Sequence, residues 1–367
     1  MYIHIPFCKS RCIYCDFYST TLGKEFMASY VEALKREMHL RRQYIKCTRV
    51  HTIYIGGGTP SLMPVDLLSS LFDEIGTLWT LDKNAEVTIE ANPDDVSKEW
   101  LEGISHTPVN RISMGAQTFN NDLLHFLARR HNAQQTVEAV NRCIEAGIEN
   151  ISLDLIYGLP GQTFNIWKED VRQALSLDIK HLSAYALSYE EGTRLDTMLK
   201  QGLVEEADEE LSRKMYDYLI NETSKAGFQH YEISNFALPG FHSRHNSSYW
   251  QGTPYLGLGA GAHSYDGKRT RRANLPDIKA YIAAKEDVPH ETEELSEESL
   301  YNEFVMTRLR TSSGIPLNEL QDEDRHYCLT QAECHLNQRL MCLKDEHLCL
   351  TKEGIFVSND IITDLMK

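Results

Sequence analysis

Six times between Tyr2 and Leu187, a short run rich in β-branched and aromatic residues gives way to a longer stretch with helical spacing of apolar residues. The runs are Tyr2 to Ile5, Val50 to Ile55, Glu86 to Glu90, Asn110 to Met114, Asn150 to Ile156 and His181 to Leu187, and the helical stretches include Glu25 to Tyr44, Asp66 to Trp79 and Gln134 to Ala146. Alternation of this kind builds a parallel sheet with right-handed crossovers, because parallel neighbours need a long connection and both faces of the sheet need cover. Each run ends in a chemically loaded loop: CKSRCIYC, GGGTP, EANPDD, GAQTF, GLPGQT and LSYEEGT in turn. In parallel β/α folds such loops share one face, so the six segments are expected to converge on one site. Six units are too few to close an eight-stranded barrel. The expectation is an α/β protein built on an open, three-quarter parallel β/α barrel with a broad mouth.

Beyond Thr193 the pattern changes. Glu205 to Ala226 reads as an amphipathic helix stopped by Gly227, and Tyr231 to Tyr265 is rich in Gly, His and aromatic residues. From about Glu291 an acidic linker leads into short helical segments, then HLCLTKEGIFVSNDIITDLM, which alternates like a hairpin before a last helix and suggests a small α+β, winged-helix-like module. The expected division is residues 1–200 for the barrel core, 201–290 for an extension, and 291–367 for the C-terminal domain.

Charge and hydropathy exclude several functions. A formal net charge of −16 and the acidic stretch Glu291 to Glu298 oppose nucleic-acid binding, which needs a basic face. The one strongly basic run, KRTRR at Lys268 to Arg272, is expected at a solvated hairpin tip, and the C-terminal module is expected to pack against the barrel. No apolar run approaches the roughly 18–20 residues that span a bilayer, and the N-terminal residues lack the pattern of an export signal. A soluble, cytoplasmic protein is the expectation, with transient membrane contact and a homodimer left open. Its nine cysteines do not form a secreted disulfide framework.

Cys8, Cys12 and Cys15 follow C-x3-C-x2-C spacing in the loop that leaves the first strand. Structural zinc takes four ligands, commonly in two CxxC-like pairs, and no second pair lies nearby. A four-iron cluster has four ligand positions, so three thiolates leave one iron open to a small molecule. This spacing matches the signature of the radical S-adenosylmethionine (SAM) superfamily. GGGTP (Gly56 to Pro60) lets backbone approach a ligand closely. Glu90 and Asp154 end two strands, where a carboxylate can accept from ribose hydroxyls or an ammonium; for either one singly, a helix N-cap or surface role is an equal reading. Gln117 and Arg129 are polar candidates for the same ligand, although Arg129 also suits a surface position at a helix end.

Taken together, HIPFCKSRCIYCDF, GGGTPS, IEANPDD, GAQTF, DLIYGLPGQT and HNSSYW, with LTKEGIFVSN near the C-terminal end, resemble the HemN/HemW group of the radical SAM superfamily over nearly the whole chain. The resemblance implies a partial barrel of the radical SAM type and a [4Fe-4S] cluster on Cys8, Cys12 and Cys15. It also implies SAM contacts from Tyr2, Tyr14, Gly57, Gly58, Thr59, Glu90, Gln117, Arg129, Asp154 and Ala186. HemN-type coproporphyrinogen III dehydrogenases carry a fourth cysteine two residues after the third, plus an N-terminal extension. Here that position is Phe17, and only seven residues precede Cys8. The HemW-type haem chaperones are similar in both respects and share an HNxxYW motif, supplied by His245, Asn246, Tyr249 and Trp250. That branch implies haem bound at His245 and delivered to respiratory or storage haem proteins. The alternative is oxygen-independent oxidative decarboxylation of coproporphyrinogen III in porphyrin biosynthesis; a zinc clip is a third reading of the cysteines. His263, in GLGAGAHSY, suits either a second haem ligand or the wall of the SAM site.

Overall fold

A computed structural model describes all 367 residues. The first half runs β1 (Tyr2–Ile5), α1 (Glu25–Leu40), β2 (Arg49–Gly57), α2 (Val65–Leu78), β3 (Thr80–Ala91), α3 (Lys98–Ile104), β4 (Arg111–Gln117), α4 (Asn121–Phe126), α5 (Ala133–Glu145), β5 (Asn150–Tyr157), α6 (Phe164–Ser176), β6 (His181–Ala186) and α7 (Arg194–Lys200). There follow α8 (Glu209–Lys225), β7 (Gln229–Glu232), β8 (Asn235–Ala237), α9 (Arg244–Trp250), β9 (Gly257–Leu258), β10 (His263–Tyr265), β11 (Thr270–Asn274), α10 (Ile278–Ala283) and β12 (His290–Glu294). The chain ends with α11 (Glu297–Leu309), β13 (Ile315–Pro316), α12 (Asp322–Asn337), β14 (Met341–Lys344), β15 (His347–Leu350), α13 (Lys352–Ile355) and α14 (Ser358–Leu365).

All six expected strands form, and they lie in sequence order as parallel neighbours from β1 to β6. Three more strands widen the sheet: β9 joins β1 in parallel, while β8 and then β7 continue antiparallel beyond β6. The edge strands β7 and β9 are not bonded to each other, so the barrel stays open. Helices cover the outer face through Ile53, Ile55, Val87, Ile89, Ile112, Met114, Ile151, Leu153, Leu155 and Leu182, all buried. The alternate positions are polar: Glu90, Ser113, Ser152 and His181 are register partners across four strands, and Gly115, Asp154 and Ser183 form the next row. A strand that alternates apolar and polar normally turns its polar side to water. Here that side lines a lumen, and Ser113, Ser152, His181 and Ser183 are buried on it.

The C-terminal module has its own core, in which Val305, Leu309, Ile315, Cys328, Leu348 and Ile361 pack together. Its helix, strand, helix, hairpin and final helices follow the winged-helix-like order expected. It is joined to the extension by backbone bonds from Ile233 to Arg310 and from Ser312 to Tyr231. The acidic linker, in contrast, is not a linker. His290–Glu294 is strand β12, paired antiparallel to β11, where Arg271 stands opposite Glu293. Such cross-strand pairing of opposite charges offsets the repulsion within the acidic run. The KRTRR arginines are spoken for in the same way, Arg269 by Glu297, Arg271 by Glu303 and Arg272 by Asp287.

Candidate functional site

The loops at the C-terminal ends of β1 to β6 converge on a cavity of about 480 Å³. Cys8, Cys12, Tyr14, Cys15, Gly57, Gly58, Thr59, Glu90, Gln117, Arg129, Asp154 and Ala186 all line it. Tyr2, His245 and His263 do not: they lie behind its wall.

The cysteine loop is closed at its base, where the Cys8 amide donates to Thr20 O (2.9 Å). It is also tied across the mouth, because Lys9 reaches Asp95 (2.9 Å), which Arg130 engages at 2.7 Å while bonding Asp94 at 2.8 Å. Burial works against the Asp95 charge, but Arg130 and Lys9 outweigh it and hold its carboxyl below the usual range. The Cys8 Sγ accepts from Thr59 Oγ1 (3.5 Å) and the Cys12 Sγ from Arg129 Nη1 (3.4 Å). Burial pushes the Cys15 thiol up to about 11, with Cys12 and Cys8 adding to the shift. A metal centre supplies the positive charge that holds such thiols as thiolates. In a four-iron cluster each thiolate binds a different iron, so three free cysteines lining one cavity fit that group and leave one iron open.

The glycines are set by contact. Gly58 passes so close to the cysteine loop that a Cβ there would stand 2.8 Å from Phe7 O and 3.0 Å from Cys8 Sγ. Gly57 has φ +114°, and a Cβ would meet the His4 ring at 2.6 Å. Its amide donates to Glu90 Oε2 (3.0 Å), while Tyr54 donates to Glu90 Oε1 (2.8 Å). Burial raises the Glu90 carboxyl to about 7 and that of Asp154 to about 6, the latter opposed by Ser183 and Arg111 beside it. Gln117 ends β4 with φ +65°, where the β4–β5 register shifts between Gly115 and Gln117. A non-glycine residue in this region at a strand end is the kind of local strain that collects at functional sites. Arg129 is no surface residue: its Nη2 donates to Asn92 Oδ1 and Gly115 O, both at 2.6 Å.

Arg111 was missed in the sequence. It is 1% exposed on β4, lines the lumen, and opposes the upward shift of both Glu90 and Asp154. An arginine inside the strand-like run Asn110 to Met114 was the available signal. Asn246 and Tyr185 also line the cavity and were not picked out for it.

The HNxxYW segment forms α9, whose N-terminus rests on Glu86: its carboxylate accepts from the Arg244 and His245 amides at 3.0 and 2.9 Å. His245 is 1% exposed, with Nδ1 bonded to Thr52 Oγ1 and Nε2 to Tyr249 OH, both at 2.9 Å, and its ring stacks on Tyr54. Without haem, the His245 ring is thus held on both sides. Both nitrogens are engaged, burial holds the ring neutral, and it acts as a brace between β2 and α9.

Behind the wall made by Tyr54, Tyr2 and His245 lies a second cavity of about 300 Å³, lined by Tyr2, His4, Phe17, Tyr18, Tyr249, Tyr255, Gly261 and His263. His263 belongs here and not to the first cavity. Tyr2 donates to His4 Nδ1 (2.9 Å), since His4 Nε2 faces the Tyr18 carbonyl oxygen (2.9 Å) and must carry the ring proton. Tyr2 touches the first cavity only through its stack on Tyr54.

Residues 2–174 match the family model described as Radical SAM superfamily, and residues 295–357 match the HemN C-terminal domain. The chain is 37% identical to the heme chaperone HemW of Lactococcus lactis over 98% of this chain and 95% of that one. It is 34% identical to the protein of the same name from Mycobacterium tuberculosis, covering 100% and 94%. Its fold matches that of Escherichia coli coproporphyrinogen III oxidase (HemN) with a TM-score of 0.84, at 20% identity, over 100% of this chain and 89% of that one. With the C-x3-C-x2-C loop, the buried carboxyl groups of Glu90 and Asp154 and the HNxxYW helix in one scaffold, the chain belongs to the HemW family of the radical SAM superfamily.

Proposed function

We propose that this protein is a haem chaperone, which binds haem in the cytoplasm and hands it to respiratory or storage haem proteins. The observation that supports this most directly is the likeness to HemW proteins along the full chain, joined to a first cavity where the cysteines and the SAM-type residues meet. Cys8, Cys12 and Cys15 would hold a [4Fe-4S] cluster. When bound, that cluster and SAM supply one-electron chemistry at the barrel mouth.

The chain's own residues prepare that mouth. Gly57 and Gly58 bring backbone against the cysteine loop, and Glu90 near the end of β3 and Asp154 on the lumen side of β5 offer acceptors to ribose hydroxyls and an ammonium. Arg129 fixes Asn92 and the Gly115 carbonyl while pointing a charge at Cys12. Arg111 supplies the buried positive charge that lets the two carboxylates share one lumen. In this reading residues 1–200 form the catalytic-type barrel, 201–290 carry the HNxxYW helix and the second cavity's far wall, and 291–367 dock as a support.

An anaerobic spectroscopic titration of haem into cluster-reconstituted protein tests the proposal. Saturable, stoichiometric binding is expected. The opposite pattern, no saturable binding together with decarboxylated product and SAM cleavage from coproporphyrinogen III, replaces the chaperone with the dehydrogenase.

A further inference from the structure

The second cavity has the chemistry of a site for a flat metallated macrocycle. Phe17, Tyr18, Tyr249 and Tyr255 give it aromatic walls, and Phe17 is 63% exposed. Aromatic rings offer wide, rigid contact to a porphyrin face at little cost in conformational entropy. Two imidazoles reach this space. That of His4 is consumed by Tyr2 and the Tyr18 carbonyl. His263 is exposed, and its ring nitrogens take part in no hydrogen bond, so both are open to a metal.

His263 is also well held. It sits on β10 opposite Ala273 of β11, and its backbone lies so near Gly257 that a Cβ there would fall 1.8 Å from His263 O. Gly261 keeps φ +78° and leaves only 3.2 Å between a would-be Cβ and the Tyr18 ring, so the wall between Tyr18 and His263 stays open. A volume of about 300 Å³ is at the small end of the range for ligand pockets. A porphyrin is larger than this space, so part of it would stay in solvent, as suits a ligand that must be passed on.

We propose, resting on the haem-chaperone reading, that haem occupies this second cavity with His263 as an axial ligand to its iron, and that Phe17 places the macrocycle beside the cysteine loop. Phe17 lines both cavities, which makes it the point of contact between them.

The test is a haem titration of the cluster-reconstituted full chain carrying His263→Gly, alongside the parent protein and with imidazole added back. His263 is exposed, so the fold is expected to survive, as circular dichroism and melting will register. Expected are a histidine-ligated Soret spectrum in the parent protein, loss of that signature with at least about tenfold weaker binding in the variant, and recovery of the signature with imidazole. A variant that keeps the parent spectrum and affinity overturns the assignment of His263 while leaving the chaperone reading intact. Absence of saturable binding in the parent protein overturns both.

Discussion

Two cavities share one aromatic wall and differ in almost every other respect. The first is built on strand ends of the parallel barrel and holds thiols, buried carboxyl groups and buried arginine. The second is assembled largely from the chain's two ends of the barrel, β1 and the segment after α9, and offers rings and imidazoles. The first is charged and expensive to bury; the second is nearly neutral. What the pair teaches is that a single layer of side chains separates a charged cavity from an aromatic one, Tyr54 and His245 stacked on one side and Tyr2 and Tyr249 on the other; in the proposed reading that layer parts redox chemistry from cargo.

The largest expected effect tests whether the cavities are independent. Cys12→Ser should reduce iron and sulfide after anaerobic reconstitution to background, while the haem titration keeps its midpoint. Loss of both would mean that the distinction drawn between them is wrong. Next, His245→Ala should cost about 2–4 kcal/mol in denaturant unfolding, because it empties a buried site and strands Thr52 and Tyr249. Its haem spectrum should still show a histidine ligand; disappearance of that ligand at full folding would move the iron site to α9.

A third prediction concerns the charge buried in the first cavity. Burial raises Glu90 from 4.5 to about 7. An acid with a raised value binds its proton more tightly folded than unfolded, so its contribution favours the fold below about pH 4.5 and is lost as pH rises through about 7. Glu90→Gln should therefore gain up to about 3 kcal/mol on the parent protein at pH 8 and little at pH 4.5 in melts without SAM. Equal gains at both would show that the carboxylate is not held at a cost. The smallest effect belongs to Lys9→Ala, which removes an exposed partner of Asp95 and should change stability by less than about 1 kcal/mol. A larger loss would make the cysteine loop depend on that one clamp.

The strands of the barrel were readable because each carries apolar residues at every second position and ends in an unusual loop; β5, for example, is read at Asn150 to Ile156 and observed at Asn150–Tyr157. The first cavity was readable for the same reason, since parallel topology sends all those loops to one face. The short strands were not. β7, β8 and β9 run only 4, 3 and 2 residues, too few to show a period, and β12 is acidic enough to pass for a linker until its pairing with Arg271 is seen. Neither was the role of His245, whose partners Thr52 and Glu86 lie far away in the chain. Alternation shows which residues share a face of a strand; it does not show whether that face meets water, which is why Arg111 went unread.

Helix α9 is seven residues long and is seated on one carboxylate, yet it presents Asn246 to the first cavity and Tyr249 to the second. A rigid element that furnishes two rooms cannot be rearranged in one alone. Any tilt that a ligand imposes from one side is felt on the other. Where two occupants do couple through this helix, thermodynamic reciprocity makes the factor the same in both directions.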